Sequence, residues 1–230
     1  MNIIPDKNLF LVTSAIKPLN SRFYNDEQRF QQTVDTLKCI REKAPKAIII
    51  VTEASYRTLS IDERVTIQKL CDGFLDLSSQ EEVSHFSGQK MQSWAESALL
   101  FHTLLILKQQ PFMREVKRIF KVSGRTLLDE TFNLEEYEVM FGKYVFKKRI
   151  PTWMPQVVHG ATDLLITRMF SFCPSLIDNY LEVTRRNFPL FQFMDFEHAH
   201  FVNIPKKYLV EFDKIHCSGW LSGNGQIENY

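Results

Sequence analysis

The sequence predicts an α/β fold: a Rossmann-type, mainly parallel sheet flanked by helices, with a small mixed region in the carboxyl-terminal half. Three observations carry this. Apolar, strand-length runs alternate with helix-length segments through about residue 130. The runs Leu9 to Ile16 and Ala47 to Thr52 are rich in aliphatic residues and turn small or polar at their ends, as buried parallel strands do on leaving the core. The run RIFKVSGR follows a long helical segment and ends in a glycine turn.

Each element has a local reason. After the strand LFLVTSAI comes a helix from about Asn25 to Lys43, capped by Asn25 or Asp26, with Phe30, Val34, Leu37, Ile40 and Arg41 at helical spacing and Pro45 as its stop. Ala47 to Thr52 is the second strand and stops at Glu53, Ala54 and Ser55. A capped helix from Asp62 to about Cys71 and a short strand, Phe74 to Leu77, complete a βαβαβ order. A helix from about Met91 to Gln109 carries Trp94, Ala98, Phe101, Leu104, Leu105 and Lys108, and Pro111 separates it from the next strand. Right-handed crossovers then give a mainly parallel sheet. Beyond Glu130 the pattern breaks into aromatic-rich pieces, Tyr137 to Phe146 and Ala161 to Phe172, then a helix from Pro174 or Ser175 to Arg186. The segment Trp220 to Tyr230, with Gly223 and Gly225, reads as a tail that buries little: a frayed end or a lid.

Composition narrows the function classes. The 230 residues are 44% hydrophobic, enough for a sizeable core, and 28 Lys plus Arg against 27 Asp plus Glu leave no broad basic footprint for nucleic acid. Short clusters such as Lys147, Lys148 and Arg149 read as solvated surface. Cys39, Cys71, Cys173 and Cys217 form no CxxC pair and read as free thiols in a reducing compartment. The longest aliphatic run, Ala47 to Val51, is too short to span a bilayer and no secretory signal is legible, so a soluble cytoplasmic protein is expected.

The ligand-facing candidates sit at strand ends. Thr13 and Ser14 close the first strand where open α/β sheets bind mononucleotides. Neither GxGxxG nor GxxxxGK[ST] occurs, so the dinucleotide and P-loop readings lose their best support. In FKVSGR, Gly124 permits close backbone approach, and Lys121 and Arg125 place positive charge at the strand's exit, suited to a phosphate-bearing ligand; the same pair also fits a solvated sheet edge.

These positions carry a resemblance. The first strand with Ser14, the helix bearing Arg29, Thr33 and Ile40, the second strand ending in Glu53 and Ser55, the cluster Lys90, Ser93 and Glu96, and the segments FKVSGR and TRMFSF together resemble small GT-A-like nucleotide-sugar glycosyltransferases, including those encoded by viruses of marine cyanobacteria. The resemblance covers the chain to about Phe172. It implies one glycosyltransferase domain over 1–230, with 1–130 binding the nucleotide sugar, 131–230 facing the acceptor, and the host cytoplasm as location if the chain is viral. The donor implied is a UDP-hexose, and the acceptor is an unspecified glycan, lipid or protein. Thr13, Ser14 and Ala15 would line the nucleoside, Arg29 would reach base or phosphate, and Glu53 and Ser55 would lie near uracil or ribose. Lys90 would meet the diphosphate at a helix start. Ordinary caps, an Arg29 to Glu53 ion pair and a solvated Lys90 fit the same residues.

One departure concerns metal. GT-A enzymes usually place an Asp-x-Asp type motif after the strand leading to the diphosphate, to hold Mn²⁺ or Mg²⁺. Here that position reads Ser123, Gly124 and Arg125, so Arg125 or Lys121 would neutralise the diphosphate directly, or Asp129, Glu130 and His216 would supply displaced ligands. A base must also take the acceptor's proton in an inverting transfer. MDFEHAHF offers Glu197, and next Asp195, for that role, on a strand or a helix; its HxH pair would otherwise read as a metal pair or as structural histidines. Arg168, embedded among Ile166, Met169 and Phe170, must find a partner if buried: an acceptor, a diphosphate or a carboxylate. Two further readings fit the chain, a nucleotidyl or phosphoryl transferase and a non-catalytic carbohydrate- or protein-binding module drawing on its 19 phenylalanines.

Overall fold

The strand Lys7–Ser14 (β1) lies inside a seven-stranded sheet, next to its middle strand, and every residue after Lys7 in it is buried. The computed structural model describes residues 5–19, 23–89, 91–152, 160–220 and 225–230. Helix Asp26–Lys43 (α1) starts at a reciprocal capping box between Asn25 and Gln28, with Asp26 and Glu27 in its first turn and Arg41 and Lys43 in its last, as the helix dipole favours. Strand Ile48–Glu53 (β2), helix Ile61–Leu70 (α2), capped reciprocally by Ser60 and Glu63, and strand Gly73–Asp76 (β3) follow. A helix the sequence reading did not anticipate, Glu81–Gly88 (α3), precedes the long apolar helix Gln92–Lys108 (α4). Pro111 opens a 3-10 turn that delivers the chain to strand Val116–Ser123 (β4) and the short Thr126–Leu128 (β5).

The second half resolves the aromatic-rich segments. Leu134–Glu138 is a helix (α5), and Tyr144–Lys147 (β6), Ile150–Pro151 (β7), Asp163–Leu164 (β8) and Met169–Phe172 (β9) are strands. Ile177–Asn187 (α6) and Phe196–Asn203 (α7) are helices, and Leu209–Phe212 (β10), Cys217–Trp220 (β11) and Ile227–Asn229 (β12) end the chain. The main sheet runs β10, β6, β9, β4, β1, β2, β3. Strands β4, β1, β2 and β3 are parallel, whereas β9 runs antiparallel to both β4 and β6. The expected mainly parallel, helix-flanked α/β architecture is therefore what the chain adopts.

Side-chain alternation along the strands divides the core into two layers. Leu9, Leu11, Ile119 and Phe170 pack with Leu100 and Leu104 of α4, Tyr180 of α6 and Phe196 of α7. Phe10, Val12, Phe120 and Val122 face Leu37 and Ile40 of α1 and Ile67 of α2, and Phe10 stacks on Phe120 at 4.8 Å. Each of these fully buried aliphatic or aromatic side chains contributes roughly 2 kcal/mol through removal from water.

The expected loose tail is not what the end of the chain forms. Strands β11 and β12 pair with each other and β11 pairs with β5. Tyr230 is buried at 5% exposure and its backbone bonds to Cys217, Ile215 and His216. Gly223, part of the composition behind the tail reading, lies outside the described residues.

Candidate functional site

Parallel strands emerge at one edge of the sheet, and there the backbone ties their exits together. Gly124 N donates to Thr13 O at 2.8 Å, Ala54 N to Ser14 O at 2.9 Å, and Ser123 N to Arg168 O at 2.8 Å. Exits of β1, β2 and β4 and the entry to the antiparallel β9 therefore share one edge. The first turn of α1 and the start of α4 reach it too, since each is the amino-terminal end of a crossover helix. Gly124 is required by packing: a Cβ would lie 3.1 Å from the Thr33 hydroxyl and 3.3 Å from Thr13 O.

Most of the expected nucleoside-side residues meet here, with their side chains turned to structural tasks. Thr13 and Ser14 are buried, and Ser14 Oγ lies 3.4 Å from Thr33 Oγ1. Glu53 is fully buried and accepts from Ile16 N at 3.1 Å and Ser55 Oγ at 2.5 Å. Burial pushes its carboxyl above the usual range despite these bonds. Lys17 N donates to Ser55 Oγ at 2.7 Å. Arg29 forks onto Ala15 O, through Nε at 2.9 Å and Nη2 at 2.6 Å, so its hydrogen-bonded partner is a carbonyl instead of Glu53, whose charge it nevertheless feels. Lys90 lies outside the described residues.

The exit of β4 gathers positive charge. Arg125 and Arg168 both point Nη1 at Trp220 O, at 3.5 and 2.9 Å, and Arg168 Nε donates to the Tyr230 hydroxyl at 3.0 Å. Burial lowers the Arg125 guanidinium to about 9, assisted by the charges of Arg29 and Arg168 and resisted by Glu96. Arg125 still carries its charge at neutral pH. Arg168 thus finds a hydroxyl and a carbonyl, where a carboxylate was one of the expected partners.

Lys121 is not at the strand's exit in the sense the sequence implied. It is 1% exposed, registers opposite Phe170, and its Nζ bonds Glu96 Oε1 of α4 at 2.5 Å and Thr167 O at 2.8 Å. The side chain faces the α4 layer because Lys121 alternates with Phe120 and Val122, which face α1. A lysine so enclosed orients carboxylates and does not itself meet a phosphate.

Those carboxylates form the other half of the site. MDFEHAHF is a helix start: Asp195 is the N-cap of α7, accepting from His198 N at 3.0 Å. Thr167 Oγ1 donates to Glu197 Oε1 at 3.2 Å. Burial, then the charges of Asp195 and Glu96, raise the Glu197 carboxyl to about 7, whereas Glu96 is held below the usual range because Lys121 outweighs its burial. His198 is bound between Asp195 at 2.6 Å and Thr152 Oγ1 at 2.6 Å, while His200 is buried against Tyr180 and Phe196. The HxH pair is therefore structural and splits between two environments.

Divalent metal fits this edge poorly. Among the described residues no group of three or more His, Cys, Asp or Glu is arranged to hold a metal ion. Glu96 is engaged by Lys121 and Asp195 by His198, and Arg125, which feels the charges of Arg29 and Arg168, stands at the position of the acidic motif. The displaced ligands are remote: Glu130 pairs with Lys43 in the last turn of α1 at 2.6 Å, and Asp129 and His216 share Thr131. Lys43 is 14 residues from Arg29 along α1, about 21 Å at 1.5 Å per residue.

Glu96 and Arg168 are the residues that reading strand ends undervalued. Their signal was a charge set in an apolar run, Trp94 to Leu100 for one and Leu164 to Phe170 for the other.

No protein-family model matches the chain, and no curated protein matches its sequence. Solved structures resemble it in fold, two of them as follows. Core-mannan synthase A (CmsA/Ktr4) from Aspergillus fumigatus, in an Mn/GDP form, superposes with a TM-score of 0.52 at 8% identity, over 90% of this chain and 73% of that one. The mannosyltransferase Ktr4p from S. cerevisiae gives 0.55 at 7% identity, over 90% and 69%. At such identities the likeness is one of fold. Among the described residues no helix is long and apolar enough to cross a membrane.

Proposed function

We propose that this chain is a glycosyltransferase that moves a hexose from a nucleotide sugar to an acceptor hydroxyl, with Glu197 as the general base. One observation carries the reading: consecutive residues Thr167 and Arg168 join a carboxylate poised near pH 7 to a cluster of guanidiniums at the same sheet edge. Such a pairing is what transfer from a leaving diphosphate needs, a base for the incoming hydroxyl and cations for the departing charge. The fold likeness to two mannosyl-transferring enzymes supports the same class.

In this reading the acceptor oxygen attacks the anomeric carbon, and its proton passes to a Glu197 oxygen. The bond from that carbon to the diphosphate oxygen breaks, and the diphosphate keeps the electron pair. Arg125 and Arg29 receive its charge. Burial, then the charge of Asp195 at the α7 cap, keep Glu197 basic enough to accept a proton at neutral pH. Residues 1–130 supply most of the donor site and 131–230 the base and acceptor side, with Arg168 crossing between them. The resemblance in sequence favours a UDP-hexose, and a glycan, lipid or protein hydroxyl is the acceptor class. A nucleotidyl transferase would need a carboxylate pair where arginines stand.

The test is calorimetric binding of UDP, GDP and CMP, followed by release of the nucleoside diphosphate from the matching hexose donor. Selective binding with slow donor hydrolysis, lost in Glu197→Gln, supports the reading. Failure of all three nucleotides to bind would remove it.

A further inference from the structure

Three arginines form a cationic cradle near the β4 exit, with Glu53 and Glu96 close enough to be felt by Arg29 and Arg125 but not hydrogen-bonded to them. Arg29 comes from the first turn of α1, Arg125 from the turn after β4, and Arg168 from the residue preceding β9. All three are partly exposed, and among the described residues each spends its hydrogen bonds on carbonyls or a tyrosine hydroxyl, none on a carboxylate. Arg125 uses only one long bond, 3.5 Å to Trp220 O, leaving most of its donors unassigned within the described residues.

The neighbourhood is built to hold this arrangement. Gly219 leaves room for it: a Cβ there would stand 3.1 Å from Arg168 Cδ and 3.2 Å from Arg125 O. Tyr230, locked by backbone bonds at the chain end, accepts from Arg168 while its own hydroxyl donates to Glu228 at 2.8 Å. Converging like charges are unfavourable in the empty protein, and a ligand with several closely spaced phosphate oxygens reverses that sign. A divalent cation at the same place would add to the repulsion.

Building on the glycosyltransferase reading, we infer that Arg29, Arg125 and Arg168 hold the donor's diphosphate directly, so that this site takes a nucleoside diphosphate or inorganic pyrophosphate without a divalent cation. Arginine forks match phosphate oxygens bidentately and supply the charge that a metal supplies in enzymes with an acidic motif. Arg168 and the docked carboxyl-terminal strands thereby belong to the donor site.

Titration of the full chain with UDP, GDP and inorganic pyrophosphate, each in 1 mM EDTA or in Mn²⁺ (roughly millimolar, near the low-affinity end of cation sites), tests this. The expected result is that one nucleotide and pyrophosphate bind with affinities that agree within about threefold in the two buffers, because arginine forks satisfy the oxygens directly. In Arg125→Ala both affinities fall at least about tenfold, one lost charge-assisted contact, while the unliganded protein melts at the same or a higher temperature. A merely structural arginine would instead lower that temperature. Binding that requires Mn²⁺ overturns the inference and leaves the transferase reading standing. Pyrophosphate binding in EDTA with no nucleotide binding keeps the cradle and removes the transferase reading, and absence of all binding removes both.

Discussion

Lys121 and Glu96 form an ion pair at the boundary between core and site, with the ammonium 1% exposed and the carboxylate about one-third exposed. Lys121 also holds Thr167 O, and Thr167 holds Glu197 through its hydroxyl. Beyond burial and Asp195, the pair contributes to the electrostatics of the proposed base without touching a substrate, and Lys121 is a positioning residue.

Replacing Lys121 with Met removes the cation that opposes the rise of Glu197. The base then needs a higher pH to ionise, so the rising limb of the pH-rate profile should move upward from about 7. Rates at pH 6.5 should therefore drop relative to the parent and recover by pH 9. A uniform loss at all pH values would show that Lys121 acts through packing alone.

Glu197→Gln separates binding from chemistry. The amide keeps the shape and can still accept from Thr167, but it cannot take a proton, so turnover should fall by about 10²- to 10⁴-fold with donor affinity within about twofold. The variant should also be more stable than the parent at pH 8, where the parent carries an ionised, largely enclosed carboxylate beside Asp195 and Glu96. Retained turnover in a donor-dependent assay would reassign the base, with Asp195 the next residue to replace.

Legibility followed the physics of each residue. The parallel core was readable because Leu9 to Val12 and Ile49 to Val51 are buried on both faces, and the α1 start because Asn25 and Gln28 form a cap within one turn of sequence. What could not be read were consequences of long-range pairing. The face that Lys121 presents depends on the pairing of β4 with β1 and β9, and the docking of Tyr230 depends on β5, about a hundred residues earlier. Helix α3 was missed because Glu81 to Gly88 offers only Val83 as a buried anchor. The Arg168 partners lie 52 and 62 residues away, beyond any local pattern.

Arg118 shows how this fold uses a buried cation for structure alone. It is 1% exposed, and it donates to Ser171 Oγ at 2.8 Å, Met140 O at 2.9 Å and Lys143 O at 3.2 Å, tying β4 to β9 and to the loop before β6. Arg118→Ala leaves those acceptors buried and a large cavity, and should cost about 3 kcal/mol or more, read by urea denaturation. Unlike Arg125→Ala, it should lower stability with or without pyrophosphate. A loss below about 1 kcal/mol would mean that water or neighbouring side chains replace the guanidinium.

His200 and Glu197 should oppose each other in the pH dependence of folding. His200 is fully buried, its Nδ1 bonds Phe196 O at 2.8 Å and its Nε2 the Tyr180 hydroxyl at 2.9 Å, which fixes the neutral tautomer protonated on Nδ1. Burial lowers its pKa to about 4 from 6.5, so between those pH values the unfolded chain binds a proton that the folded one does not. Stability from this residue is whole above pH 6.5 and declines as pH falls toward 4, by an order-of-magnitude total of about 3 kcal/mol. Glu197 has the opposite sign: from about pH 7 down to the ordinary carboxylate range the folded chain takes up the extra proton, so acidification stabilises it. The parent protein should therefore change little between pH 7 and 5, Glu197→Gln should lose stability steeply over that range, and His200→Gln should gain. Denaturation curves at pH 7, 6 and 5 for the three proteins decide it, and parallel profiles for parent and Glu197→Gln would show that Glu197 titrates as an ordinary surface carboxylate and is not poised as a base.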